Sequence, residues 1–401
     1  MNDSQKDTAI KSLVIENIRF NSSSLHFDRV EKDRGEIINW LKVGFNCDHV
    51  SLGKQIQSLW SGYGEIVKFS LMNNISEPHS DLSVIVKWVK LPDSIDHPRG
   101  WQSDLAHRRK LTSYQVEMNV YHMLNRVTKL PDWLDSIRVP HCFHGYYDEA
   151  NQQQVLVLED LDMSGFPLRY LALTPIQTQP CIQWLARFHA YFLQDTHERE
   201  ELPQHLESKL PLDNSRSYAQ GLSKPLGLWP IGSYWHLATR PDEWRAMPES
   251  KLKSKAAQLD EALNSLRFQT LIHGDAKVAN FCFSKQSNEQ EVEVAALDFQ
   301  YTGKGCGMKD FVYFLGSCLT EVECDSHWEN LLDLYFASLK EMLERLNSQI
   351  DREALECEWR FAFELAWADF QRFLEGWSPD HKKNTAFSRA LTANALNKLD
   401  I

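Results

Sequence analysis

The sequence predicts an α+β protein with two lobes, an N-terminal lobe built on an antiparallel β-sheet and a larger, mainly helical C-terminal lobe. The chain has 401 residues, which is more than a single hydrophobic core usually serves. Most strand-like runs of β-branched and aromatic residues precede residue 162, whereas the segments beyond residue 305 repeat with a helical period. We therefore expect lobes at residues 1–162 and 163–401, with one helix inserted in the sheet.

The N-terminal lobe is predicted to contain a five-stranded sheet. The run LWSGYGEIVKFSL carries Gly62 and Gly64 ahead of its extended part and, together with the next strand-like run, is typical of a glycine-containing hairpin. The last strand ends in Glu159, Asp160 and Leu161, and the lobe boundary follows. The predicted elements are a helix near 33–42, strands at 59–71, 83–91, 141–147 and 154–161, and a helix at 111–127.

A lysine in the second strand and a glutamate in the helix each lie among apolar neighbours. Strand alternation places Lys87 on the same face as Ile85 and Val89. Glu117 falls on an aromatic and aliphatic helical stripe that includes Tyr114. Because an isolated charge at either place would be costly, we expect Lys87 and Glu117 to pair. The alternative is that each is a solvated surface residue.

The helical lobe is predicted to open with a helix that carries His189 on its apolar face, which favours a core histidine over a catalytic one. Residues 195–250 follow as an irregular insertion rich in aromatic residues. Those aromatic side chains either pack in the core or line a pocket for an apolar or quaternary-ammonium substrate. Further helices are expected at about 250–266, 309–322, 326–347, 352–376 and 383–398.

Composition argues against several classes of protein. A formal net charge of -12 disfavours a general nucleic-acid binder, because such proteins hold phosphates with clustered Lys and Arg. The eight cysteines include no CxxC pair and are interpreted as reduced thiols. The first residues lack the apolar core of a signal peptide, and no apolar run is long enough to cross a bilayer. We expect a cytoplasmic protein that binds neither nucleic acid nor membrane.

The stretch 271–315 carries the parts of a phosphoryl-transfer site. An apolar run leads into the tripeptide HGD, which ends at Asp275; Asn280 follows five residues later, and a second apolar run leads to Asp298. Phosphoryl transfer needs an oriented hydroxyl, magnesium held by hard oxygen ligands, and cationic cover for the phosphates. One carboxylate for the hydroxyl, with one carboxylate and one amide oxygen for the metal, fits that need.

In combination these motifs resemble those of a known group of enzymes. HGDxxxxN follows a strand, the short strands FCF and VAAL come next, and Lys87 and Glu117 lie upstream in the right order. This layout resembles the aminoglycoside phosphotransferase and choline kinase group, and within it the CHK kinase-like, or ecdysteroid-kinase-like, branch. The resemblance spans about residues 55–375 in element order. It implies a bilobal protein-kinase-like fold, ATP and Mg²⁺ as cofactors, and a small-molecule hydroxyl as the phosphate acceptor.

The resemblance also implies roles for the residues of the catalytic stretch. Asp275 would be the catalytic base for the acceptor hydroxyl, while Asn280 and Asp298 would hold magnesium. His273 and Asp310 would support the catalytic loop without taking part in the chemistry. Lys277 matches the position at which protein kinases place a lysine on the γ-phosphate, and we hypothesise that it stabilises the transferring phosphoryl group. The alternative for Lys277 is an exposed loop lysine.

A second set of residues is implied to bind the nucleotide. Lys87 would contact the α- and β-phosphates while Glu117 orients it. The turn from Gly62 to Gly64 would cover the phosphates with backbone N–H groups. Glu159 and Leu161, at the end of the last strand, would complete the nucleotide site.

Three departures from the protein-kinase pattern favour a small-molecule kinase. SGYG is poorer than GxGxxG, DFQ replaces DFG, and neither an APE motif nor an HRD arginine is present. A Ser/Thr protein kinase is the alternative. A non-catalytic nucleotide-binding protein is disfavoured by the retention of all four polar residues at 87, 275, 280 and 298. Amino alcohols, aminoglycosides and sterol-like alcohols all stay open as acceptors, as does the oligomeric state.

Overall fold

The described residues of the computed structural model fall into two compact units. They are residues 34–59, 62–72, 82–90, 104–127, 137–149, 151–196, 227–285 and 292–400. The sheet unit takes those within Met1–Asn125, Val139–Leu168 and Phe283–Glu291, and the helical unit takes those within Arg126–Arg138, Arg169–Cys282 and Val292–Ile401. The lobe boundary expected near residue 162 stays a prediction.

The sheet unit is built on five antiparallel strands in the order β1-β2-β3-β5-β4. Its elements are α1 (Arg34–Phe45), β1 (His49–Ser58), β2 (Gly64–Met72), β3 (Leu82–Val89), α2 (Asp104–Val127), β4 (Cys142–Asp148) and β5 (Gln153–Glu159). With the helices of the second unit, this sheet confirms the predicted α+β class. The sheet has the five strands predicted, although only four of them were located in the sequence.

The central strand β3 is buried on both faces because helices cover both sides of the sheet. Val84, Val86 and Trp88 face α1, where they join a core that includes Trp40. The opposite face carries Lys87 and Val89 toward α2. The predicted alternation along this strand is therefore confirmed, and it brings the Lys87 ammonium to the α2 side.

The run at 59–71 forms the strand β2, which begins at Gly64, as expected for a run whose extended part follows its two glycines. Residues 62–63 belong to the connection between β1 and β2. The strand β1 before it was not predicted. The sequence HVSLGKQIQS forms an edge strand in which only Val50 is buried, so its hydrophobic alternation is weak.

In its described residues, the helical unit combines a small three-stranded antiparallel sheet, in the order β10-β7-β6, with six helices of nine or more residues and two shorter ones. Its described helices are α3 (Pro175–Tyr191), α4 (Pro241–Ala246), α5 (Lys251–Ser254), α6 (Ala256–Asn264), α7 (Met308–Cys318), α8 (Glu321–Arg345), α9 (Arg352–Trp377) and α10 (Ala386–Lys398). The described strands are β6 (Gln194–Asp195), β7 (Phe268–Ile272), β8 (Phe281–Phe283, with Phe283 assigned to the sheet unit), β9 (Val294–Ala296) and β10 (Gly303–Gly305).

Local capping explains where several helices begin and end. The single helix expected at 250–266 is wrong, since Lys255 separates α5 from α6. Thr320 and Glu323 form a capping box that starts α8 earlier than predicted. The last helix begins at Ala386 because the Thr385 side chain caps it by accepting from the Ser388 N–H.

Among the helices whose residues the structure describes, none is both long and apolar enough to span a membrane. The eight cysteines are all free thiols, and six of them are buried.

Candidate active site

The catalytic stretch of the sequence forms a loop at the carboxyl end of the central strand β7. This strand is buried along its whole length and delivers His273, Gly274 and Asp275 into the loop. A 3-10 turn, Val278–Asn280, follows and leads into β8. The Leu297 N–H, next to Asp298, donates to the Asn280 carbonyl at 3.0 Å. The fold therefore brings Asp275, Asn280 and the approach to Asp298 together.

Gly274 holds a backbone conformation and a close contact that only glycine accommodates. Its φ is +77°, and a Cβ added there would lie 2.0 Å from the Tyr301 carbonyl oxygen. The Gly274 carbonyl also accepts from the Tyr234 N–H at 2.7 Å. The glycine of the HGD tripeptide thus lets two other segments pack closely on the catalytic loop.

We expect Gly274→Ala to destabilise the protein more than Gly165→Ala. Gly165 also has a positive φ, of +99°, but nothing lies within 4 Å of an added Cβ there. Backbone strain costs about 1–3 kcal/mol at such a position, and displacing the Tyr301 backbone adds roughly 1–3 kcal/mol at Gly274 alone. Denaturant unfolding of both variants measures the difference. Equal losses of unfolding free energy would mean that the close contact is unimportant.

The side chain of Asp310, on α7, binds backbone N–H groups of the loop. Its carboxylate accepts from the His273 N–H at 2.6 Å and from the Gly274 N–H at 2.8 Å, and it also contacts His189 Nε2 at 3.0 Å. His189 is fully buried and contacts the Tyr335 hydroxyl at 2.7 Å through Nδ1. The predicted core position of His189 is confirmed. These contacts fit the supporting role predicted for Asp310.

His273 is satisfied on both ring nitrogens. Its Nε2 lies 3.0 Å from the Leu297 carbonyl oxygen, and its Nδ1 accepts from the Asp275 N–H at 3.3 Å. This arrangement corresponds to a neutral ring with its proton on Nε2. The ring therefore ties the backbone of the loop to the segment before Asp298, which fits the support predicted for it.

The two carboxylate oxygens of Asp275 have different surroundings. Oδ2 accepts from the Lys277 ammonium at 2.8 Å and from Asn280 Nδ2 at 3.2 Å. Oδ1 is buried and accepts no hydrogen bond from the residues that the structure describes. The pKa of Tyr313 is raised well above its ordinary value by burial first, and then by the charges of Asp275 and Tyr234 and by a side-chain interaction between the Tyr313 hydroxyl and the Asp275 carboxylate. One oxygen is thus held in place while the other can accept from a bound hydroxyl.

Lys277 is close to two acidic side chains, those of Asp275 and Asp298. Its side chain is 38% exposed and forms an ion pair with Asp275. Burial alone would lower the pKa of Lys277, but the charges of Asp275 and Asp298 outweigh it and raise the pKa. The Lys277 side chain is therefore protonated at neutral pH. Because it is partly exposed, its ammonium can bind an anionic group of a ligand.

Asn280 and Asp298 offer hard oxygen ligands of the kind that magnesium prefers. The Asn280 amide nitrogen donates to the Asp275 carbonyl at 2.8 Å, which leaves its amide oxygen as the atom for a metal. Asp298 has a φ of +68°, an uncommon conformation that is enriched at functional sites. Within the described ranges, no group of three or more His, Cys, Asp or Glu side chains could hold a metal alone. Magnesium usually completes its shell with water and phosphate oxygens, so the two residues fit it.

The sheet unit contains the other predicted polar pair. Lys87 Nζ lies 2.6 Å from Glu117 Oε2, and the two side chains are 5% and 2% exposed. The Lys87 ammonium also lies 5.5 Å from the centroid of the Tyr114 ring. The contact expected from the sequence is therefore present. What this pair does at a nucleotide phosphate stays a prediction.

The remaining predicted nucleotide residues lie at strand ends and in turns of the sheet unit. Gly62 and Gly64 have φ values of +74° and +125°, and the Gly64 carbonyl accepts from the Leu59 N–H at 2.8 Å, closing the turn between β1 and β2. Glu159 accepts from the His141 N–H at 2.9 Å through its carboxylate. The Leu161 side chain is buried. The side chains of Glu159 and Leu161 are thus engaged within the protein. Any contact of these two residues with the base of a nucleotide would therefore use backbone groups.

A comparison with known families assigns this chain. The profile of the ecdysteroid kinase-like family matches residues 67–348, which is more than half of the sequence. The chain belongs to the ecdysteroid kinase-like family. No curated protein matches it. The resemblance stated from the motifs is therefore confirmed.

Solved structures similar to this ecdysteroid kinase-like chain are distant. A protein described as an aminoglycoside phosphotransferase from Ralstonia eutropha has 12% identity and a TM-score of 0.44, covering 92% of this chain and 96% of that one. Choline kinase from Cryptosporidium parvum has 12% identity, a TM-score of 0.41 and the same coverage of 92% and 96%. Ethanolamine kinase from Plasmodium vivax has 10% identity and a TM-score of 0.38, covering 100% and 95%.

Beside the loop, the ecdysteroid kinase-like chain has an aromatic wall that the sequence only partly indicated. We use this name for Tyr234, Trp235, Tyr313, Phe370, Phe373 and Trp377, which pack into one cluster. The aromatic-rich insertion was noted in the sequence, but its partners on α7 and α9 were not. Residues 197–226 of that insertion lie outside the described residues.

A fully buried ion pair anchors this wall and was missed in the sequence. Arg372 and Asp369 are both 0% exposed and lie 2.8 Å apart. The Trp235 Nε1–H donates to Asp369 at 3.0 Å, and Arg372 donates to the Trp235 carbonyl at 3.0 Å. The only signal in the sequence was a pair of opposite charges at a spacing of three on the helix. The pair fixes the segment that carries Tyr234 beside Gly274.

Proposed function

We propose that this chain is a phosphotransferase that moves the γ-phosphoryl group of ATP, with Mg²⁺, to a hydroxyl of a small molecule. The observation that carries the proposal is the asymmetric Asp275 carboxylate, with Oδ2 held by Lys277 and Asn280 and a buried Oδ1 that accepts no hydrogen bond from described residues. A base positioned in this way can orient an attacking hydroxyl. Membership of a kinase-like family supports the same reaction class.

The chemistry needs few groups from the protein. The acceptor hydroxyl donates to Asp275 Oδ1 and attacks the γ-phosphorus in line, so that a new P–O bond forms while the bond to the β-phosphate oxygen breaks. The hydroxyl proton passes to Asp275, and ADP leaves. Asn280 and Asp298 would hold magnesium, which supplies positive charge against the phosphate oxygens. His273 and Asp310 keep the loop in position by their contacts to backbone groups.

The sheet unit would contribute the nucleotide contacts. In this proposal, Lys87 binds the α- and β-phosphates and Glu117 keeps the ammonium in place. The Gly62 to Gly64 turn would cover the phosphates with backbone N–H groups. Glu159 and Leu161 would contact the base of the nucleotide through backbone groups, because the Glu159 carboxylate already accepts from the His141 N–H.

We expect Lys277→Ala to lower the turnover number by about 10²-fold while the KM for ATP changes little. The reason is that its ammonium would face charge that develops on the transferring phosphoryl group. Lys285→Ala is the matched control, because Lys285 is an exposed lysine two residues after the strand β8 that follows the loop. Steady-state kinetics with saturating acceptor measures both variants. An unaltered turnover number in Lys277→Ala would contradict the role.

The function is tested by following the γ-phosphoryl group directly. The protein is incubated with γ-labelled ATP and Mg²⁺ and with a panel of amino alcohols, aminoglycosides and sterol-like alcohols. Label in a small-molecule product supports the proposal. Label that enters only protein acceptors would favour a protein kinase, and nucleotide binding without any transfer would favour a non-catalytic protein.

A further inference from the structure

Lys383 is a cation on the aromatic wall that the mechanism above does not use. It lies in the connection between α9 and α10, where its N–H donates to His381 Nδ1 at 3.2 Å and its carbonyl accepts from the Ser388 hydroxyl at 3.1 Å. The backbone on both sides of the side chain is therefore held. The position of the Lys383 ammonium is a defined feature of the fold.

The ammonium lies on two rings of the wall. Lys383 Nζ is 5.7 Å from the centroid of Tyr313 and 5.8 Å from the centroid of Phe370. The two ring centroids are 5.0 Å apart, so the rings pack against each other, and both side chains are buried. Cation-π attraction operates within about 6 Å of a ring centroid. A quaternary ammonium could therefore contact these rings on this side only in place of the Lys383 ammonium.

The same surface is adjacent to the catalytic base. The wall reaches the loop through the Tyr234 N–H, which donates to the Gly274 carbonyl at 2.7 Å, one residue before Asp275. Burial first, and then the charge of Asp275, raise the pKa of Tyr313. Burial lowers the pKa of Lys383 to about 8; Cys318 and Cys324 oppose this shift, whereas the charges of Lys382 and Lys277 add to it. A value near 8 keeps Lys383 mainly protonated at pH 7. Two ammonium groups, on Lys277 and Lys383, therefore influence the space next to Asp275.

Lys383 forms no ion pair with a carboxylate in the part of the chain that the structure describes. Its charge is therefore not cancelled locally, and a second cation placed on Tyr313 or Phe370 would be repelled. An oxygen atom of an acceptor can instead take a hydrogen bond from the ammonium. The arrangement favours acceptors that carry oxygen and no positive charge.

We propose that Lys383 is a specificity-determining residue of the acceptor site, whose ammonium on Tyr313 and Phe370 excludes amino alcohols and other cationic acceptors in favour of uncharged or anionic hydroxyl compounds. This inference rests on the proposed function, because it assigns the aromatic wall to the acceptor. The rings serve a cation that is already part of the protein.

The test measures choline binding by isothermal titration calorimetry in the full chain, without nucleotide or turnover. Lys383→Met keeps the apolar stem and removes the charge, Lys383→Arg keeps the charge, and Lys382→Met is the matched control for net charge, since Lys382 is exposed. We expect Lys383→Met to bind choline at least tenfold more tightly than the wild type. Lys383→Arg and Lys382→Met should bind it as the wild type does.

A smaller gain in Lys383→Met, or one that Lys382→Met shares, would overturn the proposal. Thermal melts of each variant, with and without MgATP, show whether the fold and the nucleotide site are intact. Choline binding is measured without phosphoryl transfer. A negative result would therefore overturn the role of Lys383 but would leave the proposed phosphotransferase reaction untouched. The labelled-ATP assay decides the reaction separately.

Discussion

Asp275→Asn is expected to lower the turnover number by about 10²–10⁴-fold while nucleotide affinity stays close to that of the wild type. The substitution keeps the shape of the side chain but removes the group that accepts the hydroxyl proton. It also places an amide in contact with Lys277 and Asn280, where the carboxylate now accepts from both. Turnover is measured with the labelled-ATP assay, and nucleotide affinity by calorimetry.

The comparison for Asp275→Asn is Asp325→Asn, which removes an exposed carboxylate from α8. That variant should keep full activity, since Asp325 lies on the solvent side of its helix. Turnover within a few-fold of the wild type in Asp275→Asn would show that another group accepts the proton. The proposed mechanism would then be wrong, whatever the acceptor is.

Asp298→Asn should abolish the part of nucleotide stabilisation that depends on magnesium. Asparagine tolerates the positive φ of +68° at this position as well as aspartate does, so the backbone is expected to keep its conformation. The loss of charge removes the single carboxylate assigned to the metal. For the wild type, ligand at 100 times its dissociation constant stabilises the folded state by about 2.7 kcal/mol, and most of this shift should disappear.

Thermal melts with ATP, with and without magnesium, and again after EDTA, measure the effect in both proteins. The wild type should lose its shift on EDTA treatment, and Asp298→Asn should show none to lose. A magnesium-dependent shift of the same size in Asp298→Asn would remove this residue from the metal site. The melting temperature without ligand shows whether the variant is folded.

The sequence was most informative where a polar residue follows a predicted strand or interrupts a regular apolar pattern. Asp275, Asn280 and Asp298 could be selected because a strand precedes the first of them and short strands separate the others. Lys87 and Glu117 could be paired because each charge interrupts an apolar pattern, and the structure places them in contact. Such local signals depend on burial, which the sequence reports through its periodicity.

The features that were missed depend on contacts between distant segments. Lys383 sits in a polar connection that reads as an ordinary exposed loop, and only the packing of α7 and α9 brings Tyr313 and Phe370 beneath it. Asp369 and Arg372 satisfy each other within one helical turn, so neither marks its contact with Trp235. The edge strand β1 was missed because most of its side chains are exposed.

The hydrogen bond between the Tyr234 N–H and the Gly274 carbonyl joins the wall to the loop through backbone atoms alone. The link therefore does not depend on the Tyr234 side chain. The loop itself is held from the other direction by Asp310, which accepts from two backbone N–H groups. If the wall lines the acceptor site as proposed, a change of side chain there would alter acceptor preference while the backbone of the loop keeps its position.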